Sequence, residues 1–228
     1  MGLIYRIKNI QKRITKVTLL VSFFCLYTHT SVKAQDPQFG VKAGLNYSSI
    51  IGDLTQGIKF RFSGHAGVFL EVPMTDKFSI QPEIVYSSQG FQFSSDLNAI
   101  QNNDPVIDQN DFRTNVQFNY LSVPIIGKFG LSDRIDVEFG PQFAFLLNQV
   151  TKIKDLDQRD GTTPENRTSF SGNFQLDYGA VVGFGIQLNE AFSVSPRFYF
   201  GLRNRLEGLE GSLQNYNVAV QLSANYQL

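Results

Sequence analysis

The residues that could do chemistry are few. Beyond position 34 there is one histidine, His65, with Ser63 two residues before it and Asp177 far along the chain. Such a trio could supply the nucleophile, base and orienting acid of an acyl-transfer or hydrolytic site. The spacing is weak evidence, because serine and histidine two apart on a strand share a face by chance. A lone inward histidine is usually held by structural hydrogen bonds, so no catalytic residue is assigned. Metal and cofactor chemistry have less support. The single cysteine, Cys25, lies near the N-terminus, and the acidic runs Asp104, Asp108, Asp111 and Asp155, Asp157, Asp160 lack the glycine and glutamate spacing of a calcium loop. They read as solvated loops.

Seven charged residues make a stronger pattern: Lys42, Glu71, Glu83, Lys128, Asp136, Glu138 and Arg197. All fall on the polar face of alternating segments and toward the same end. In a narrow interior such charges should pair, because an unpaired buried charge is expensive. Folding the chain about Gly130 to Arg134 predicts Lys128 near Asp136. A gated ion or proton path is the alternative use; a structural plug is the reading taken.

Strands must position these residues, and alternation of period two recurs along the chain while helical periodicity is nearly absent. Eight segments show it. The first sets Phe39, Val41, Ala43, Leu45 and Tyr47 against Gly40, Lys42, Gly44 and Asn46. The fifth sets Ile135, Val137, Phe139, Phe143, Phe145 and Leu147 against Asp136, Glu138, Gly140, Gln142 and Ala144. Connections alternate too: Pro73 to Phe78, Gly130 to Arg134 and Asn189 to Ala191 are short, whereas Ser48 to Arg61, Gly90 to Val116, Asn148 to Asn173 and Arg203 to Asn215 are longer. The fold expected is all-β: an eight-stranded antiparallel up-and-down transmembrane β-barrel with short periplasmic turns and long extracellular loops.

Side-chain volume decides which face points inward. An eight-stranded interior has little room, and the polar face carries Gly40, Gly44, Gly67, Gly140, Gly179, Gly183, Gly185 and Gly201. The bulky Phe, Tyr, Leu and Ile of the other face suit lipid better than a small lumen. Phe39, Phe78, Phe129, Phe192 and Tyr226 at one end, with Tyr47, Phe62, Tyr86, Phe145 and Phe174 near the other, predict two aromatic girdles. Five prolines, Pro73, Pro82, Pro124, Pro141 and Pro196, fall in or beside strands where each removes a ladder donor, and bulges are expected there.

The N-terminus differs from the rest. Basic residues precede an apolar run from Val17 to Tyr27, and Val32 and Ala34 are placed for cleavage, so residues 1–34 read as a signal peptide and 35–228 as one barrel domain. Losing residues 1–34 removes six of 20 basic residues and no acidic ones, leaving a net charge of −6 and no cysteine. That balance argues against a nucleic-acid partner.

Four motifs, Phe39-Gly40-Val41-Lys42-Ala43-Gly44-Leu45-Asn46, Ile80-Gln81-Pro82-Glu83-Ile84, Tyr120-Leu121-Ser122-Val123-Pro124 and Phe139-Gly140-Pro141-Gln142, carry a family resemblance. The chain resembles the PorT-type outer-membrane β-barrel family common in Bacteroidota over nearly all of residues 35–228. The resemblance implies strand prolines at comparable places and supplies no catalytic motif. The family is named for a component linked to type IX secretion, but this chain looks closer to its generic members, so that role is not carried over.

The function expected is therefore non-enzymatic: a small barrel of the cell outer membrane, structural or interactive through the loops Gly90–Asn115 and Asn148–Asn173. Expected partners are outer-membrane lipid and lipopolysaccharide, the barrel-assembly machinery during biogenesis, and envelope proteins or extracellular ligands met by the loops. Alternatives are an accessory part of a type IX-like secretion machine, a lipid A-modifying enzyme using His65, and a narrow channel.

Overall fold

Nine strands form among the described residues of the computed structural model: β1 Gln38–Gly52, β2 Ile58–Thr75, β3 Phe78–Ser95, β4 Phe112–Gly130, β5 Ile135–Asp155, β6 Asn166–Phe170, β7 Leu176–Gln187, β8 Phe192–Gly201 and β9 Asn215–Gln227. The described residues are 36–53, 55, 57–95, 112–155, 166–170, 176–205 and 213–228. The expected signal peptide, the girdle residue Phe174, and Asp104, Asp108, Asp111, Asp157 and Asp160 lie outside them.

Eight of the strands close a ring, each antiparallel to its neighbours: β1–β2–β3–β4–β5–β7–β8–β9 and back to β1. Closure runs from Gly40 opposite Gln227 to Gly52 opposite Asn215. A closed ring leaves no edge within the barrel, which lets a β-structure cross lipid. The periplasmic turns are short and locked by their own side chains. Thr75 Oγ1 accepts from Phe78 N at 3.0 Å, and Asn189 Oδ1 accepts from Ala191 N at 3.0 Å and Phe192 N at 2.9 Å.

The ninth strand corrects the expected outline. β6 pairs only with the outer end of β5, from Gln149 opposite Phe170 to Ile153 opposite Asn166. β3 and β4 likewise stay paired out to Ser95 opposite Phe112. The predicted loops Gly90–Asn115 and Asn148–Asn173 therefore begin as sheet. β4 has 19 residues and β5 has 21, whereas crossing a bilayer takes about 9–11, so the surplus stands outside the membrane.

The expected faces hold. Phe39, Phe62, Val68, Ile84, Phe139, Val182, Phe184 and Leu222 are exposed on the outer surface, while Lys42, Asn46, Gln81, Glu83, Ser122, Glu138, Gln142 and Arg197 are buried inside. Girdle aromatics touch at both ends: Phe192 and Tyr226 at 4.8 Å, Tyr47 and Phe62 at 4.5 Å between ring centroids.

Bulges at the prolines do not generally form. Register shifts only at Pro73/Thr75, between Phe60 and His65, and at Asn119/Tyr120. Around Pro82, Pro124, Pro141 and Pro196 the register runs through unshifted, but two residue pairs drop out of the ladder on one side. A missing N–H thus weakens pairing locally without adding a residue. At the Phe60/His65 break, four β2 residues oppose three of β3. Gly90, at φ 140°, is one of those three β3 residues, and a Cβ there would lie 2.0 Å from the Val116 carbonyl oxygen.

Candidate functional site

The inward charges meet in two groups. At mid-lumen, Lys42 Nζ donates to Glu83 Oε2 at 2.8 Å, Arg197 Nη1 to Glu83 Oε1 at 2.8 Å, and Arg197 Nε to Glu138 Oε2 at 2.5 Å. These four side chains are at most 2% exposed. Gln81 Nε2 also donates to Glu83, at 2.7 Å, and Ser195 Oγ to Glu138, at 3.2 Å. Two cations against two carboxylates leave no net charge, the condition under which buried ions are tolerable.

The second group lies toward the periplasmic mouth. Lys128 Nζ donates to Glu71 Oε2 at 2.9 Å and stands 3.9 Å from Asp136 Oδ2. Glu71 is therefore the nearer partner, because the register sets Lys128 opposite Glu138 and leaves Asp136 opposite Gly130. Ser79 Oγ donates to Glu71 Oε1 at 2.7 Å. All seven of the charged residues singled out from the sequence lie in these two groups.

Small residues on neighbouring strands make the space. A Cβ on Gly183 would lie 2.8 Å from Arg197 Cγ, one on Gly185 2.4 Å from Asp136 Oδ2, and one on Gly44 2.7 Å from His65 Cε1. Glycine beside a large inward side chain is how a narrow barrel fits full-sized charged groups.

The possible catalytic trio is not assembled. His65 Nδ1 lies 2.8 Å from Asn46 Oδ1 and Nε2 2.8 Å from Ser223 Oγ. A neutral ring protonated on Nδ1 satisfies both. Ser63 Oγ donates instead to the Ser88 carbonyl at 2.6 Å, and Asp177 Oδ2 accepts from Asn217 Nδ2 at 2.5 Å.

Sequence reasoning did not single out two further clusters. Arg61, at the edge of an expected loop, donates from Nε to Asn115 Oδ1 at 2.8 Å and from Nη2 to Gln117 Oε1 at 3.0 Å. At the outer mouth, Arg205 stacks 4.0 Å above the Phe118 ring and donates to Asn217 Oδ1 at 2.7 Å. There Phe118, Tyr120, Asp177, Arg203, Arg205 and Asn217 line a cavity of about 110 Å³. Asp177 was singled out from the sequence only as a member of the possible trio, and the Arg203–Asn215 connection carries no periodic signal that could place the arginines.

A closed eight-stranded ring, apolar outside and filled by paired charges inside, defines a transmembrane β-barrel. The chain belongs to the outer membrane protein beta-barrel domain family, whose model matches residues 33–207, and its place is the outer membrane. No curated protein sequence matches it. Solved structures similar to it include Ail, the attachment invasion locus protein of Yersinia pestis, at 9% identity over 85% of this chain and 100% of that one, with a TM-score of 0.47. Neisserial surface protein A is similar at 8% identity, 85% and 100% coverage and a TM-score of 0.48. A major outer membrane protein of Thermus thermophilus is similar at 14% identity, 85% and 100% coverage and a TM-score of 0.46.

Proposed function

We propose that this protein is a non-enzymatic outer-membrane barrel with a closed lumen, acting structurally or as an interaction surface through its extracellular loops. The observation that carries this reading is the mid-lumen cluster of Lys42, Glu83, Glu138 and Arg197, whose side chains are at most 2% exposed. The cavity beside it is about 10 Å³, whereas small-molecule pockets measure about 300–1,000 Å³. Solute passage has no room there, and His65 and Ser63, each bonded to other groups, do not form a nucleophile–base pair. The outer end offers a surface for interaction, since strands overrun the membrane there and Arg203 and Arg205 line a cavity of about 110 Å³.

Two finer readings accompany this one. Residues 1–34 are a signal peptide cleaved after Ala34. The chain is a generic PorT-type member, a reading that rests on its four motifs and is supported by Lys42 of the first meeting Glu83 of the second at 2.8 Å. Planar-bilayer recording of the protein purified from outer membranes tests the closed lumen. Current should stay free of discrete conductance steps; reproducible steps from the pure protein would mean that the side-chain cluster opens and would favour the channel.

A further inference from the structure

Three buried polar atoms on three strands share one small cavity. Ser122 Oγ on β4, Gln142 Nε2 on β5 and Arg197 Nη2 on β8 have no hydrogen-bond partner among the described residues. Their residues are 2%, 2% and 4% exposed, and all three line the same space of about 10 Å³. Buried polar groups left unsatisfied are costly and rare. Three of them around one cavity point to a species bound there.

Chemistry and size select that species. The amide and guanidinium nitrogens can only donate, which rules out a metal cation; the serine hydroxyl can donate or accept. The adjacent charges already balance, Lys42 and Arg197 against Glu83 and Glu138, so no excess positive charge remains to hold a bare anion. A space of about 10 Å³ matches one water site, and a chloride ion is larger than a water. We propose that this cavity holds a single ordered water, accepting from Arg197 Nη2 and Gln142 Nε2 and donating to Ser122 Oγ.

Its place in the fold gives the water a purpose. Ser122 lies two residues from Pro124, Gln142 follows Pro141, and Arg197 follows Pro196. At these prolines the β3–β4, β4–β5 and β7–β8 ladders each lose two pairs. The water joins β4, β5 and β8 through the lumen at the height where the ladders are thinnest.

Crystals of the protein purified from outer membranes, grown in sodium bromide, test the proposal. The expected result is one peak without anomalous signal, within about 2.7–3.2 Å of all three atoms. A bromide anomalous peak there would overturn water in favour of an anion, and direct contacts among the three groups with no peak would remove the site. In Gln142→Met the peak should be lost while the barrel stays closed by its heat-shifted mobility; an unchanged peak would show that Gln142 does not hold the water, contradicting the site as drawn.

Discussion

Arg197 on β8 is the residue on which the interior turns, since it bonds Glu83 on β3, across the lumen, at 2.8 Å and Glu138 on β5, two strands away in the ring, at 2.5 Å. Its removal leaves Glu138, among the described residues, hydrogen-bonded to Ser195 alone at 3.2 Å, a buried carboxylate without its cation. Arg197→Met should cost about 3–5 kcal/mol of unfolding free energy, read from urea unfolding in detergent micelles. Adding Glu138→Gln should return part of that, with a coupling of about 0.5–3 kcal/mol. Additive losses would mean that the two side chains do not depend on each other. Strand phase made the seven charges legible as one inward set, but not their partners. Arg197 and Glu83 are 114 positions apart and meet across the lumen, a contact set by barrel radius and stagger that no local pattern encodes.

At the scale of the strand, glycine and proline do separate work. Gly140 sits where a Cβ would come within 2.0 Å of the Ile125 carbonyl oxygen, whereas at Gly64 the nearest such atom is 3.5 Å away. Gly140→Val should therefore destabilise the barrel by at least about 1–3 kcal/mol, while Gly64→Ala should stay within about 0.5 kcal/mol. Urea midpoints of the two variants compare them directly, and equal midpoints would contradict the packing described. Alternation revealed the eight ring strands because one face meets lipid and the other a polar lumen. It could not reveal the outward runs of β3, β4 and β5 or the whole of β6. Segments such as Asn166–Phe170 stand outside the bilayer, where no lipid imposes an apolar face. The prolines also misled, because a lost donor was expected to demand a bulge and instead thins the ladder in register.

For the molecule as a whole, stability and closure are one property. Antiparallel pairing around the ring, the apolar surface turned to lipid and the neutralised interior each presuppose the others, so the barrel should unfold as a unit and keep its shape in detergent. The proposed signal peptide belongs to the same scale, since an exported chain is what the outer membrane that this surface fits would receive. The most direct test is electrophoresis of protein taken from sedimented outer membranes, run unheated and boiled, with the mass of its N-terminus determined alongside. The account predicts outer-membrane recovery, an N-terminus at Gln35, and an unheated band that migrates differently from the boiled one. A protein recovered in the soluble fraction with identical mobility before and after boiling would contradict the closed membrane barrel itself.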